Sequence, residues 1–422
     1  MRNIKALLPI IFLCLFLNAF KLSAQKIRKE TIEYSYQRLP SAPLSKEIKN
    51  YQASIEPAFE AKNKILLEKY EADKKAAADQ YEKETKDFST QTTLAEERYL
   101  KEMEEYNKKS LGKKLLEQQL LNQNTKPVKQ LPSKPYLREI TPPKLQSSYD
   151  YQALSSTNLR IDGLNENPDK AIKVVVTLYG YDYTLPRQIA DQKDMLSVSN
   201  SGTSTYKSNY YHTEFSYRHP MSAKVTLPDG KEILNITPSQ LNIYKIYTTS
   251  ESENQKQING DLLIKSAEAK ILQDNLAAIN NLINDKYGYS YVKRKADLHY
   301  IKNGGNDYAD LTMAFNEASS GLIMLQEDSV SGGVKLLHAI EIWNNALKES
   351  DTENKKARID KDVTIAIYYN LLETYFALKN VTAARDALTK MNAISLSKDD
   401  RKTKNDYEIL FTDLNNRLLI NK

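Results

Sequence analysis

Cysteine is nearly absent from this chain. Its 422 residues hold one, Cys14, inside the apolar run Ala6–Phe20. Everything after that run therefore excludes a disulfide, a thiolate metal site and a cysteine nucleophile. Histidine is almost as scarce, with His212, His219, His299 and His338. None stands at a ligand spacing from another histidine, so no metal is expected, and they read as packing or surface residues. The 12 glycines form no phosphate loop, and neither G-x-S-x-G nor H-E-x-x-H occurs, so no cofactor and no catalytic centre is expected. Asp162-Gly163-Leu164-Asn165 and Asn303-Gly304-Gly305-Asn306-Asp307 lack the alternating ligands and distal glutamate of a calcium loop, and read as turns. Carboxylates are too many for a glycosidase pair to be singled out. An excess of one charge is missing too. Lys plus Arg is 60 against 54 Asp plus Glu, a net charge of +6, which falls to +3 without Arg2, Lys5 and Lys21. That balance argues against nucleic acid as a partner.

Residues 1–24 have the layout of a secretory signal peptide. Arg2 and Lys5 precede the apolar run, and Leu22-Ser23-Ala24 offers a small-residue cleavage site before Gln25. The run is shorter than the roughly 18–20 residues of a spanning helix, and no other stretch of the chain is a candidate. Leu13 is not the small residue that a lipoprotein signal places before its cysteine. The Leu-Ser-Ala-Gln junction resembles signals of some Gram-negative lineages. The expected location is the periplasm, with the cell surface or exterior as alternatives.

Residues 30–37 alternate and predict a strand, ended by Leu39-Pro40-Ser41-Ala42-Pro43. Between Leu44 and about Asn124, Ile48, Tyr51, Ile55, Phe59, Leu66, Tyr70, Ala77 and Tyr81 step by three, four or seven, the seam of a coiled coil. Pro57 should kink it. Phe88–Thr92 interrupts it, and Thr93-Leu94-Ala95-Glu96 reads as a capping box that starts a second helix carrying Leu100, Met103, Leu111, Leu115, Leu116 and Leu120. A helical hairpin with arms of about 65 and 45 Å follows, with one continuous helix of about 120 Å as the rival. The seam equally fits half of a homo-oligomer interface.

Prolines 127, 132, 135, 142 and 143 mark an extended connector laid against something. Strands are expected at Asn158–Asp162, Ile172–Thr184, Tyr206–Tyr217, Ala223–Thr226, Glu232–Ile236 and Leu241–Thr248. Turns fit at Asn165–Pro168, Asn200-Ser201-Gly202 and Pro228-Asp229-Gly230. Their spacing predicts a sandwich that takes in the first strand. Tyrosine is abundant, at 28. Tyr206, Tyr210, Tyr211 and Tyr217 are the candidates for a glycan-stacking face, although strands favour tyrosine on propensity alone.

Helices are expected over Ser266–Asp285 and Asp399–Leu419. Between them, Tyr368, Leu371, Leu372 and Tyr375 form one helical stripe, with Lys379-Asn380 as the turn. Ala383, Ala384, Ala387, Leu388 and Met391 form the facing stripe. The large-Leu-small-aromatic then small-large-small order resembles a tetratricopeptide repeat, with Tyr368, Leu371, Tyr375, Ala384 and Leu388 matching. Leu372 stands where that repeat has Gly, and Met391 where it has Ala. Phe315, Ala318, Ser319 and Leu322, with Ala339, Trp343 and Ala346, resemble a second copy. The resemblance implies a protein-binding groove lined by Ala366, Tyr369, Glu373 and Phe376. The alternative is that Tyr369 and Phe376 pack on a neighbouring helix.

The expected fold is α+β and multidomain. An antiparallel β-sandwich carries an inserted helical hairpin and is followed by an all-α, tetratricopeptide-like domain. The expected divisions are a signal peptide at 1–24, a first strand joining the sheet at 25–43, the hairpin at 44–124, the connector at 125–157, the sandwich at 158–250 and the helical domain at 262–422. The expected function is a non-enzymatic exported scaffold or adaptor that holds other envelope proteins. The alternative is a glycan-binding or glycan-processing envelope protein.

Overall fold

The structure, a computed structural model, describes residues 26–120, 126–199, 202–255, 257–302 and 305–422. The signal-like segment 1–24, Asn200 and Ser201 of one expected turn, and Asn303 and Gly304 of one glycine loop lie outside the described residues. The fold is mixed α/β, about 49% helix and 23% strand. Among the described residues no helix is long and apolar enough to cross a membrane.

In chain order the elements are β1 (Lys26–Gln37), β2 (Asn50–Pro57), α1 (Glu60–Lys108), α2 (Leu111–Leu120), α3 (Tyr151–Asn158), β3 (Asn165–Glu166), β4 (Ile172–Leu178) and β5 (Asp182–Tyr183). A long hairpin, β6 (Arg187–Ser199) and β7 (Gly202–Arg218), is followed by β8 (Met221–Thr226), β9 (Glu232–Ile236), α4 (Ser239–Asn242) and β10 (Lys245–Thr248). Then come α5 (Gly260–Tyr287), β11 (Tyr291–Lys302), α6 (Ala309–Met324), α7 (Ser329–Ala346), α8 (Lys361–Ala377), α9 (Val381–Met391) and α10 (Lys398–Ile420). Two compact units divide them. One holds the described residues of 1–52 with 159–172 and 277–422; the other holds 53–158 and 173–276.

In the first unit β1 pairs antiparallel with β11, from Lys26↔Lys302 to Gln37↔Tyr291. The expected sandwich does not take in β1: its partner is a strand that the Lys- and Arg-rich run 291–302 conceals. Ile32, Tyr34, Ala296 and Leu298 form the buried face of this ribbon and share one core with the helices. Helices α6 and α7 make a hairpin whose crossing needs glycine twice. A Cβ on Gly321 would lie 3.0 Å from the Gly332 carbonyl oxygen, and one on Gly332 would lie 2.9 Å from that of Gly321. Side chains cap the other starts: Asp360 accepts from the Val363 N–H, Asn380 from the Ala383 N–H, and Ser397 forms a capping box with Asp400. Lys379, not Asn380, takes the left-handed turn, with φ +56°.

In the second unit β2, β4, β8 and β9 lie side by side in that order, and β7 is flanked by β10 on one edge and by β5 and β6 on the other. Pro228-Asp229-Gly230 makes the β8–β9 turn with Gly230 at φ +89°. The buried Phe215 and Tyr181 of the β7 sheet pack on Ile264, Ala267 and Ile271 of α5. A helix thus covers the sheet face for which a second sheet was expected. The stretch Asn158–Asp162 ends α3 instead of forming a strand, and Leu241 lies in α4.

The helical hairpin is replaced by one helix. Helix α1 runs for 49 residues, about 74 Å, straight through Phe88–Thr92. The hydroxyls read as a break and a cap turn inward instead: Thr90 Oγ1 donates to the Lys86 carbonyl and Thr93 Oγ1 to the Ser89 carbonyl. Bonding four residues back satisfies them inside a helix. Pro57 ends β2, so nothing is kinked.

Helix α1 has no buried residue. Its half-buried stripe of Leu66, Tyr70, Ala77, Tyr81, Phe88, Ala95, Tyr99, Met103 and Tyr106 faces the returning connector, whose Pro127, Pro132, Pro135, Ile140 and Pro143 are half-buried in turn. Lys129 reaches Glu96 at 2.6 Å, and Asn63 and Gln146 exchange bonds of 2.9 and 3.0 Å. From Asn63 to Glu96 an α-helix rises about 50 Å, and from Lys129 to Gln146 a polyproline chain advances about 53 Å. The two lengths match, so the extended prolines keep pace with the helix.

Two stability predictions follow from the second unit. Gly180 has φ +101°, and a Cβ there would lie 2.8 Å from the Gln146 amide oxygen that accepts from the Tyr181 N–H. Gly180→Ala should cost about 2 kcal/mol or more in urea unfolding; no change would mean that the turn relaxes freely. His219 is buried, its Nδ1 has no hydrogen-bond partner, and burial pushes its pKa down to about 4 against the pull of Asp182. The stability due to its neutral form is fully present above about pH 6.5 and is lost as the pH falls towards 4. Between pH 7 and 4.5 the wild type should lose about 2 kcal/mol more than His219→Phe; parallel losses would refute this.

Candidate functional site

Helix α8 is buried around nearly its whole circumference, so its polar side chains need partners inside the unit. Asn370 supplies the pairing that the outer edge of β11 lacks: its Oδ1 accepts from the His299 N–H at 2.6 Å and its Nδ2 donates to the His299 carbonyl at 2.8 Å. Glu373, 3% exposed, receives Arg294 twice, Nε to Oε2 at 3.0 Å and Nη2 to Oε1 at 2.7 Å. The Tyr407 hydroxyl donates to the same carboxylate at 2.7 Å. Burial opposes the Arg294 charge, but Glu373 outweighs it and holds the guanidinium protonated. Burial first, then the Glu373 charge, pushes the Tyr407 hydroxyl well above the usual phenol range, so it remains a donor.

These contacts settle where the expected groove residues lie. Ala366, Tyr369, Glu373 and Phe376 are all buried. Tyr369 stacks with Tyr407 and donates to Asp400. The face predicted to take a partner is covered by β11 and α10. Phe376 also lines an opening.

That opening lies where the ends of β1 and α8 meet α10. Leu410, Leu414 and Arg417 recur at i, i+4 and i+7 on α10, with Asp413 between them. With Tyr36, Arg38, Phe376 and Lys379 they line a cavity of about 260 Å³. The floor is aromatic and aliphatic. Tyr36 meets Phe376 edge-on at 5.1 Å, Phe411 backs Phe376 at 6.0 Å, and the Arg294 guanidinium lies 4.5 Å over the Phe376 ring.

The rim is cationic but mostly committed. The Arg417 side chain, 6% exposed, donates to the Leu39 carbonyl at 2.7 Å, to Asp285 Oδ1 at 2.9 Å and to Asp413 Oδ2 at 2.9 Å. Arg38 lies 3.0 Å from Asp285 and 3.8 Å from Asp413. Lys379 is exposed and has no ion pair among the described residues. An apolar floor beside one uncommitted ammonium suits an apolar side chain that carries or adjoins a carboxylate. Sequence reasoning missed Tyr36, Arg38, Leu410, Leu414 and Arg417. The i, i+4, i+7 spacing on α10 was the available signal, in a helix read only as a cap.

The candidate glycan face is divided by the pleat of β7. Tyr206 and Tyr210 fall on one face of the strand, and Tyr211 and Tyr217 on the other. Tyr210 donates to Glu253 and has Lys193 over its ring, while Tyr217 belongs to the core with Tyr181 and Phe215. The four tyrosines form no common platform. Among the described residues no cluster of three or more His, Cys, Asp or Glu side chains is placed to hold a metal. Comparisons of the chain with protein-family models, curated proteins and solved structures find no match.

Glu373→Gln keeps the shape of the buried network and leaves Arg294 unpaired. It should cost about 3 kcal/mol in urea unfolding, and adding Arg294→Met should restore most of that. A near-neutral single variant would show that the pair contributes nothing.

Proposed function

We propose that this chain is a non-enzymatic scaffold or adaptor of the bacterial cell envelope, exported by its signal-like first residues. It binds a protein partner through the cavity at Tyr36, Phe376 and Leu414. The observation that carries this reading is the open apolar floor beside the uncommitted Lys379 ammonium. A partner side chain that fills the floor beside an acidic group gains both apolar burial and charge pairing.

The fold reading that goes with it treats α6 to α10 as a tetratricopeptide-like stack. It is supported by the burial of Tyr368, Leu371, Tyr375, Ala384 and Leu388, and of Ala318, Ala339, Trp343 and Ala346 in the preceding hairpin. The partner site then sits at the end of the stack and not in its groove.

The test is site-specific photocrosslinking in the native envelope from a benzophenone side chain at Gln37, which lines the cavity, with exposed His338 as the control position. A discrete protein adduct is expected from position 37 and not from 338. It should fall at least fivefold, an order-of-magnitude expectation, when Lys379→Glu is added. No adduct from position 37, or one indifferent to Lys379→Glu, would overturn the reading.

A further inference from the structure

A second cavity, of about 170 Å³, lies wholly within the other unit. Three elements build it. Helix α5 contributes Asp261, Ile264, Lys265 and Glu268, which share one face at i, i+3, i+4 and i+7. The end of the connector, Lys144 to Ser147, forms a second wall, and Tyr181 and Tyr183 form a third. The connector wall is fixed by its backbone. Gln146 exchanges hydrogen bonds with Asn63, and its side-chain oxygen accepts from the Tyr181 N–H.

The lining is prepared for a cation. Tyr181 and Tyr183 have ring centroids 5.4 Å apart, tilted by 34°. Tyr181 is 2% exposed, and its hydroxyl has no hydrogen-bond partner. Glu268 is 7% exposed, and Ser147 Oγ donates to its Oε2 at 2.8 Å. Burial, and after it the Glu268 charge, pushes the Tyr149 and Tyr181 hydroxyls upward, so both stay neutral beside the carboxylate. One cation is already present. Lys144 Nζ lies 3.3 Å from the Tyr183 ring centroid, and Lys144 has no ion pair among the described residues.

We propose that this cavity is a binding site for a primary ammonium, the side chain of a partner's lysine, and that the chain's own Lys144 occupies it in the absence of that ligand. An ammonium has three N–H donors and no acceptor. The ring face of Tyr183, the Glu268 carboxylate and the unpartnered Tyr181 oxygen are acceptors of matching number. Ring faces attract ammonium ions through their quadrupole. With Lys144 swung out, the remaining charged lining is Asp261, Glu268 and Lys265, which is net negative and complementary to the ligand. The Lys144 side chain is exposed, so leaving its ring face costs little, whereas the main chain that carries it stays anchored through Gln146. This site is independent of the cavity at Phe376, and neither stands or falls with the other.

The experiment titrates the full mature chain with Nα-acetyl-lysine N-methylamide, followed by the Tyr181 and Tyr183 ring resonances. The Nε-acetylated analogue and methyl β-glucoside serve as the neutral and sugar probes, and free cadaverine distinguishes a small amine from a peptide lysine. Lys144→Ala removes the internal competitor and should tighten binding of the lysine probe about two- to fivefold. In that background Glu268→Gln, which preserves shape, should weaken it about tenfold or more. Tyr183→Leu should do the same, with a thermal melt to confirm that it is folded. The Nε-acetylated probe should not bind. Failure of the lysine probe to bind Lys144→Ala, indifference to Glu268→Gln, preference for cadaverine over the peptide lysine, or binding of the glucoside in its place would each overturn the proposal.

Discussion

The ion pair between Arg294 and Glu373 is the constraint on which the first unit depends. Helix α8 lies in the middle of that unit, with the β1–β11 ribbon on one side and other helices around the rest. A helix so placed cannot turn polar side chains to water, and each must be answered internally or be costly. Arg294 answers Glu373 from the ribbon, Tyr407 answers it from α10, and Asn370 answers the open edge of β11. The three bonds join ribbon, central helix and last helix across chain separations that no local propensity determines. The cavity at Phe376 depends on the same joint, because the Arg294 guanidinium lies over its aromatic floor.

The second unit solves a different problem. A 49-residue helix with no buried side chain has little packing to support it. Its half-buried stripe is too narrow for a conventional helix neighbour and suits a chain one residue wide. Prolines provide that chain: they favour the extended conformation, donate no backbone N–H, and carry flat apolar rings. Tyr70, Ala77, Tyr81 and Met103 make the stripe half-buried and apolar, which suits such rings. The same connector then fixes Gln146 beside Tyr181 and delivers Lys144 to the aromatic cavity, so the order of one element positions the lining of the other.

How much was legible in the sequence depends on how periodic each segment is. Most of the helices from α5 onwards read well because their apolar residues recur at helical spacing over many turns, but residues 328–333, which read as a long turn, are the cap and first turn of α7. The segment around Tyr51 and Ile55 misled, since a four-residue step returns to the same face of a helix and of a strand, and β2 uses the latter, while Phe59 lies past its end at the N-cap of α1. The hydroxyl run at Phe88–Thr93 carries the same residues whether it caps a helix or bonds back within one. β11 was invisible because its exposed face carries Lys293 and Lys295 while its buried face combines the charged Arg294 with a residue as small as Ala296. Of the groove residues Phe376 reaches a cavity, and Ala366, Tyr369 and Glu373 are interior, because repeat spacing defines a face without saying what lies on it. The tyrosines 206, 210, 211 and 217 split in pairs for a similar reason: adjacency in a list conceals the alternation of a strand. Long-range partners such as Arg294 with Glu373, or Lys144 with Tyr183, leave no local trace.

The pairing of α1 with its proline connector also bears on how the rod would carry load. A helix pulled from its ends can more than double its length as it unwinds, from about 1.5 Å towards 3.3 Å or more per residue. The connector starts at about 3.1 Å per residue and has almost no slack to give. Bound side by side, the two share a tensile force unequally: the polyproline segment behaves as an inextensible cord, and the helix beside it is shielded from stretching until that cord is peeled away.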